Sequence, residues 1–499
     1  MKPRSDVNIG GFIPPSGLVR GMMPSQDPVA EVEQLRSAVA KYFPIYDVNV
    51  SHRAVTMMVN VSPDTMEEDF DRLRIDLKEK GFIPYIRYKG GEHSVTIVRR
   101  PPLRRSNLWI NRVLVVATFL TTAIAGMVLW SDYSGAASLW SVENFLLGVV
   151  SFSLPLLLIL GTHELSHYYA SKKNGVEASL PYFIPFIPPL GTMGAFISLR
   201  DPMPSRKALV EIGASGPLGG LAVTLPIALI GLYLTSQGTP VSGPVEEGAM
   251  YIMFQPLYML LGLLFPLQEN MALHPTAFAA WVGFFVTAIN LLPAGQLDGG
   301  HIAQGMLGDK AKYLSYATAG LLIVLSFMFY SGWLLFAMLV VLLGLTHPTP
   351  LNDISGPGPR AKAMGAAALV VFAVTFVPTP MMLVSPDHSF DVIVEDSNIT
   401  VAPGGVAEFN ISLVNTGNVD SEITITLEGN LWPWSGSVAA GGEPTSPPMA
   451  VDLAYNSTVH VKVLLMVSDD AQEGDLKDVM LKASGPGLVV ERGLRVTVA

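Results

Sequence analysis

The chain has 499 residues, half of them apolar and only 14% charged, where an ordinary soluble domain carries about 25% charged residues. A net charge of -10 excludes a dedicated nucleic-acid binder, and the lack of cysteine excludes disulfides, thiolate metal sites and a cysteine nucleophile. A mean hydropathy of +0.42, together with apolar runs near the roughly 20 residues that cross a bilayer's hydrocarbon core, predicts a multi-pass α-helical membrane protein.

In chain order, residues 1–27 carry Gly, Pro and Ser with little periodicity and read as a flexible leader without the apolar core of a signal peptide. Residues 28–100 predict a cytoplasmic α/β domain, with helices over 28–43 and 64–80 and strands over 46–50, 54–61, 82–88 and 94–98. In the second helix Met66, Phe70, Leu73 and Leu77 share one face. Asp64 and Glu67 have capping-box spacing, and Gly81 is placed to end the helix.

Residues 107–383 predict a membrane core of about seven spans. Arg99, Arg100, Arg104, Arg105 and Arg112 flank the first run, Lys172 and Lys173 end the second, and Arg206 and Lys207 open the third. Positive charge marks the cytoplasmic side, so the N-terminus is expected inside. The run 250–267, broken by Pro256 and Pro266, is expected to be re-entrant or interfacial. Residues 388–499 turn to short alternating segments between Gly, Pro, Asn and Asp, which predict an extracytoplasmic all-β sandwich. The stretch Val401 to Asp420 resembles immunoglobulin-like modules of surface proteins.

The chemistry concentrates in two places. His163-Glu164-Leu165-Ser166-His167 lies in the second apolar run. On a helix, four residues turn through about 400°, so both imidazoles share a face while Glu164 is offset by about 100°. Ionisable groups at membrane depth are costly unless paired or ligating, which makes them a functional site by default. A catalytic zinc takes three protein ligands, so a third must come from elsewhere. Asp298 is the candidate, in Asn290-Leu291-Leu292-Pro293-Ala294-Gly295-Gln296-Leu297-Asp298-Gly299-Gly300-His301, where Pro and Gly unwind a span's end. His301 is the alternative ligand. His274 and His347 stand isolated near span ends and read as interfacial or structural.

Together these motifs resemble the site-2 protease family of intramembrane zinc metalloproteases, in its archaeal and plant-plastid branch, over residues 143–305. The resemblance implies a site-2-protease-like helical core with one Zn2+ per chain on His163, His167 and Asp298. It further implies Glu164 as general base, Asn290 as oxyanion stabiliser, a membrane-anchored protein as substrate and, through its archaeal branch, a prokaryotic, archaeal-type cell membrane. It places a membrane re-entrant β-loop over 181–200, suited to holding a substrate as an added strand, and matches Gly213 to Gly220 to the family's Gly-Pro region, for which close helix packing is a sufficient reason. A metal-ion transporter and a catalytically silent scaffold are the competing readings. For Asn290 the competing role is an amide that satisfies backbone freed by Pro293.

Overall fold

The computed structural model describes residues 28–51, 54–101, 108–238, 250–267 and 271–499. The expected leader, Arg104, Arg105 and the 239–249 loop lie outside the described residues. The chain divides into two compact units, one made of residues 1–240 and 253–380 and the other of 241–252 and 381–499.

The first unit begins with α1 (Pro28–Ala40), β1 (Ile45–Val50), β2 (Val55–Val59), α2 (Met66–Glu79), β3 (Phe82–Lys89) and β4 (Glu92–Arg99). The strands form an antiparallel sheet in the order β1-β2-β4-β3, so β3 is an edge. In β2 the apolar Val55, Met57 and Val59 alternate inward, where they meet Leu73 and Leu77 from one stripe of α2 and Leu35 and Val39 from α1. The Asp64–Glu67 capping box is not formed. The Ser62 carbonyl already accepts the Met66 N–H, the turn feeds Thr65 into helical conformation, and the N-cap makes no side-chain bond.

Next come α3 (Leu108–Ser134), α4 (Val142–Gly148), a π-helical turn (Val149–Ser153) and α5 (Leu154–Lys173), then the hairpin β5 (Tyr182–Pro185) and β6 (Thr192–Phe196), and α6 (Arg206–Ser236). Among the described residues, four helical stretches are long and apolar enough to cross a membrane: Leu108–Ser134, Val142–Lys173, Arg206–Ser236 and Asp298–Met328. The other helices of this unit are shorter or less apolar. In the 250–267 run, α7 (Pro256–Gly262) has seven residues, about 10 Å of helix at 1.5 Å per residue. Beyond it, α8 (Pro275–Asn290) and α11 (Trp333–Leu343) are apolar but short, while α9 (Asp298–Leu307) and α10 (Ala311–Met328) run on through a 3-10 turn.

The last helix of this unit, α12 (Gly358–Thr375), stops before the expected 383 because Pro378 and Pro380 follow and cannot continue a helix. Residues 381–383 are β8 (Met381–Leu383), paired antiparallel with β7 (Met250–Ile252) in the second unit.

That unit continues with β9 (Phe390–Val394), β10 (Asn398–Val401), β11 (Val406–Asn415), β12 (Ser421–Glu428), β13 (Ser435–Ala439), β14 (Met449–Leu453), β15 (Thr458–Met466), β16 (Leu476–Gly485) and β17 (Leu488–Val498). One sheet has the order β10-β17-β16-β12-β14 and the other β13-β15-β11-β9. Their inward residues, among them Phe409, Ile411, Ile425, Val463 and Leu481, close one apolar core between them.

Candidate metal centre

Within the first unit α6 packs on α5, α8, α9 and α12, and its small residues bring the motif-bearing segments together. A Cβ at Gly216 would overlap the imidazole of His167, and one at Gly219 would overlap Ser166 Oγ. Gly213 lies against the backbone of Asp298 and the Cβ of His301. Close helix approach therefore seats α6 directly on the histidine-bearing face of α5.

Asp298 reaches the same point by a tight turn. Gly295 adopts φ 54°, a left-handed conformation that disfavours a side chain. Gly299 and Gly300 pass so close to the carbonyls of Leu291 and Gly295 that a Cβ would collide with them. The Gly295 N–H is taken by Ser315 Oγ at 3.2 Å, which ties the turn to α10. The chain thereby leaves α8 at Asn290 and starts α9 with the Asp298 carboxylate facing α5.

The result is a nearly equilateral group of donors. His163 Nε2 and His167 Nε2 are 3.2 Å apart, and they stand 3.2 and 3.1 Å from Asp298 Oδ2. Both histidines and Glu164 are buried. His167 Nδ1 donates to the carbonyl of Ile212 at 2.8 Å, which in the neutral imidazole leaves Nε2 as a lone pair aimed at a carboxylate oxygen. Lone pair against lone pair is repulsive without a cation between them. Ligand atoms around a tetrahedral zinc, with bonds of about 2.0–2.1 Å, lie roughly 3.3 Å from one another. Donor chemistry and spacing therefore both fit a divalent metal, and this is the one such group of three among the described residues.

The remaining expected residues lie around this group. Asn290 Nδ2 is 3.4 Å from His163 Nε2. The backbone N–H of Ile197, just past β6, lies near the Glu164 carboxylate. His301, the alternative ligand, is outside the donor group: its Nδ1 donates to the Leu297 carbonyl at 3.0 Å and its ring packs on His347, with centroids 4.5 Å apart. His347 is therefore not isolated. Neither is His274, whose ring packs edge-on against Trp130 and Tyr133. The β5–β6 hairpin is held to α3 by Asn111 Nδ2, which donates to the carbonyls of Leu180 and Pro181, and by Thr121 Oγ1, which donates to that of Gly191 at 2.7 Å.

Sequence reasoning overlooked Ile212, whose contribution is a backbone carbonyl, and treated Gly216 only as packing. A small-residue stripe was the available signal, but it does not say that an imidazole lies against it.

Residues 151–331 match Peptidase family M50. Among curated proteins, the chain is 32% identical over 241 residues to "Probable zinc metalloprotease EGY1, chloroplastic" of Arabidopsis thaliana, covering 46% of this chain and 43% of that protein. It is 31% identical to the protein of the same name from Oryza sativa subsp. japonica, over 47% of this chain and 42% of the relative. It is 29% identical to "Probable zinc metalloprotease EGY2, chloroplastic" of Arabidopsis thaliana, over 46% and 41%. The chain thus matches less than half the length of these relatives. Their names place them in chloroplasts, and the expected archaeal membrane finds no support among them.

Proposed function

We propose, from the premise that this chain carries a peptidase family M50 domain, that it is an intramembrane zinc endopeptidase cutting membrane-anchored proteins within or near their transmembrane segments. The observation that carries this reading is the His163–His167–Asp298 donor group, buried among helices apolar enough to cross a bilayer. These three residues would hold one zinc, which when bound supplies Lewis acidity to a carbonyl and acidifies water. Glu164, next to His163 on α5, takes the proton of the attacking water and returns it to the leaving amine as the C–N bond breaks. Asn290 offers its Nδ2 protons to the carbonyl oxygen as that oxygen becomes an anion.

A helical substrate hides its peptide bonds, so a segment must be extended before attack. The two-stranded β5–β6 hairpin offers unpaired strand edges for this, and Ile197, which follows β6, lies near Glu164. Strand addition there would deliver the scissile bond beside the base. Residues 28–100 are assigned to the cytoplasmic side, and 388–499 to the outside, from the positions of Arg112, Lys172, Lys173, Arg206 and Lys207.

The test is metal content of the purified chain, with cleavage of a model transmembrane substrate by wild type and Glu164→Gln. About one zinc per chain, with cleavage in the wild type alone, is expected on the three-ligand rule. Unaltered cleavage by Glu164→Gln would remove Glu164 as the base, and absence of metal would remove the reading itself. Protease accessibility from each side of sealed vesicles tests the orientation.

A further inference from the structure

The segment between α11 and α12 is short, irregular and rich in proline, yet it is among the most firmly held stretches of the first unit. Leu351 is buried in the core of the N-terminal α/β domain, with Ile354 packed beside it. The Ile86 N–H, on the edge strand β3, donates to the Leu351 carbonyl at 3.0 Å, and Ile86 forms a parallel bridge with Asn352. Arg87 spreads its guanidinium over the same segment: Nη1 donates to the Leu351 carbonyl at 2.8 Å, and Nη2 to Thr349 Oγ1 and to the Pro350 carbonyl at 3.0 and 2.9 Å. On the other side the Leu351 and Asn352 N–H groups donate to the Met203 and Pro204 carbonyls, immediately before α6. Asn352 stiffens the segment from within, its Oδ1 accepting from the N–H groups of Ile354 and Ser355. The segment thus joins the open edge of one sheet to the start of the central helix, as a strand added to an edge does.

At its beginning the same segment reaches the metal-ligand helix. His347 sets its ring against His301 at 4.5 Å, with the planes at 71°. His301 lies one turn along α9 from Asp298, and its other contact, from Nδ1 to Leu297, returns to the residue before Asp298. The far end of α9 is held by Arg206, which donates to the carbonyls of Gly305 and Met306. Asp353 keeps a buried carboxylate oxygen without a hydrogen-bond partner, while the charges of Arg87 and Arg206 both act on it. One continuous path therefore runs from β3 through Arg87, Leu351 and His347 to His301, one helical turn from Asp298.

We propose that residues 346–355 are a clasp through which the N-terminal α/β domain positions Asp298, with His347 as the positioning residue acting through His301. The inference rests on the metal-centre reading above. The groups that hold metal ligands in place typically carry about 10–100-fold in affinity. Removing the aromatic contact at His347, or releasing the clasp from β3, allows α9 to relax away from α5.

The experiment uses the full chain in detergent micelles, with Zn2+ affinity, the visible spectrum of the Co2+-loaded protein and amide exchange at Ile86 measured on each variant. Arg87→Ala and Leu351→Asp open the joint at the domain, and His347→Ala opens it at the metal end. His347→Phe keeps a ring against His301. The expected result is that Arg87→Ala and Leu351→Asp expose the Ile86 amide, lower zinc affinity by roughly tenfold and shift the cobalt bands. His347→Ala does the same to the metal with the Ile86 amide still protected, His347→Phe stays near wild type, and His347→Ala adds little to Arg87→Ala.

The proposal is overturned if the Ile86 amide opens while zinc affinity and cobalt bands stay wild type. It is equally overturned if neither domain-side variant opens that amide, since the contacts named would then not be the joint. Uptake of neither ion by the wild-type chain would instead overturn the metal-centre reading, so the two failures are distinguishable.

Discussion

His167 donates its Nδ1 proton to the carbonyl of Ile212 at 2.8 Å, and that bond decides which nitrogen faces Asp298. The carbonyl is fixed by α6, and α6 can come this close because Gly216 has no side chain to meet the ring. Packing and ligand chemistry are one contact here. Gly216→Ala is therefore expected to displace the imidazole and lower zinc affinity by at least about tenfold, in the range seen for lost outer partners, with the helical content kept. Metal titration followed by circular dichroism checks both halves; full zinc affinity in the variant would refute the tautomer argument.

Glu164→Gln keeps the size and hydrogen-bonding reach of the side chain but removes its ability to take a proton. Cleavage of a transmembrane substrate should fall by about 10²–10⁴-fold, the range for a lost general acid–base, while zinc remains bound. Turnover and metal content measured on the same preparation would separate loss of the base from loss of the site.

Asp298→Asn replaces the carboxylate of the proposed third ligand with a neutral amide beside two imidazoles. Its effect should exceed the roughly 10–100-fold cost of losing a ligand's outer partner, so the purified variant is expected to lose most of its metal. Metal analysis after dialysis against a weak chelator is the check, and wild-type retention would remove Asp298 as a ligand.

The N-terminal domain has a second attachment with a defined pH dependence. Burial alone would raise the pKa of Asp201, but the hydrogen bond from Lys78 Nζ at 2.8 Å, the Glu177 N–H and the charges of Lys78 and Arg100 outweigh it and hold the carboxyl below its ordinary value. A depressed carboxylate contributes stability that is present above its unfolded pKa, about 3.9, and is lost as pH falls through the folded value. Protection of α2 against proteolysis should therefore decline below about pH 4 in the wild type. Asp201→Asn should be less protected at neutral pH and should lack this contribution to the decline. An identical acid profile in both would remove Asp201 from the attachment.

The parts legible in the sequence are those set by short-range geometry. The stripe Met66, Phe70, Leu73, Leu77 follows from 3.6 residues per turn, and the alternation in β2 from a period of two. His163 and His167 share a face because they are four apart on one helix, and Asp298 is conspicuous because a carboxylate in an apolar run needs a reason. Helix lengths were legible less well: the run at 333–345 is apolar, but Gly344, at φ 96°, ends the helix at Leu343 where apolar composition alone would extend it.

What only the tertiary structure decided is which distant residues meet. Ile212 acts through a carbonyl that every residue type carries, so no side-chain pattern marks it. His301 turns from the metal-donor group to His347 because the α11–α12 segment is pinned to β3 by Arg87 and Leu351, more than 260 residues apart in the chain. Local periodicity determines what each segment can be; the pairing of segments is decided by closing buried backbone bonds and filling space around them, and those are properties of the assembled chain.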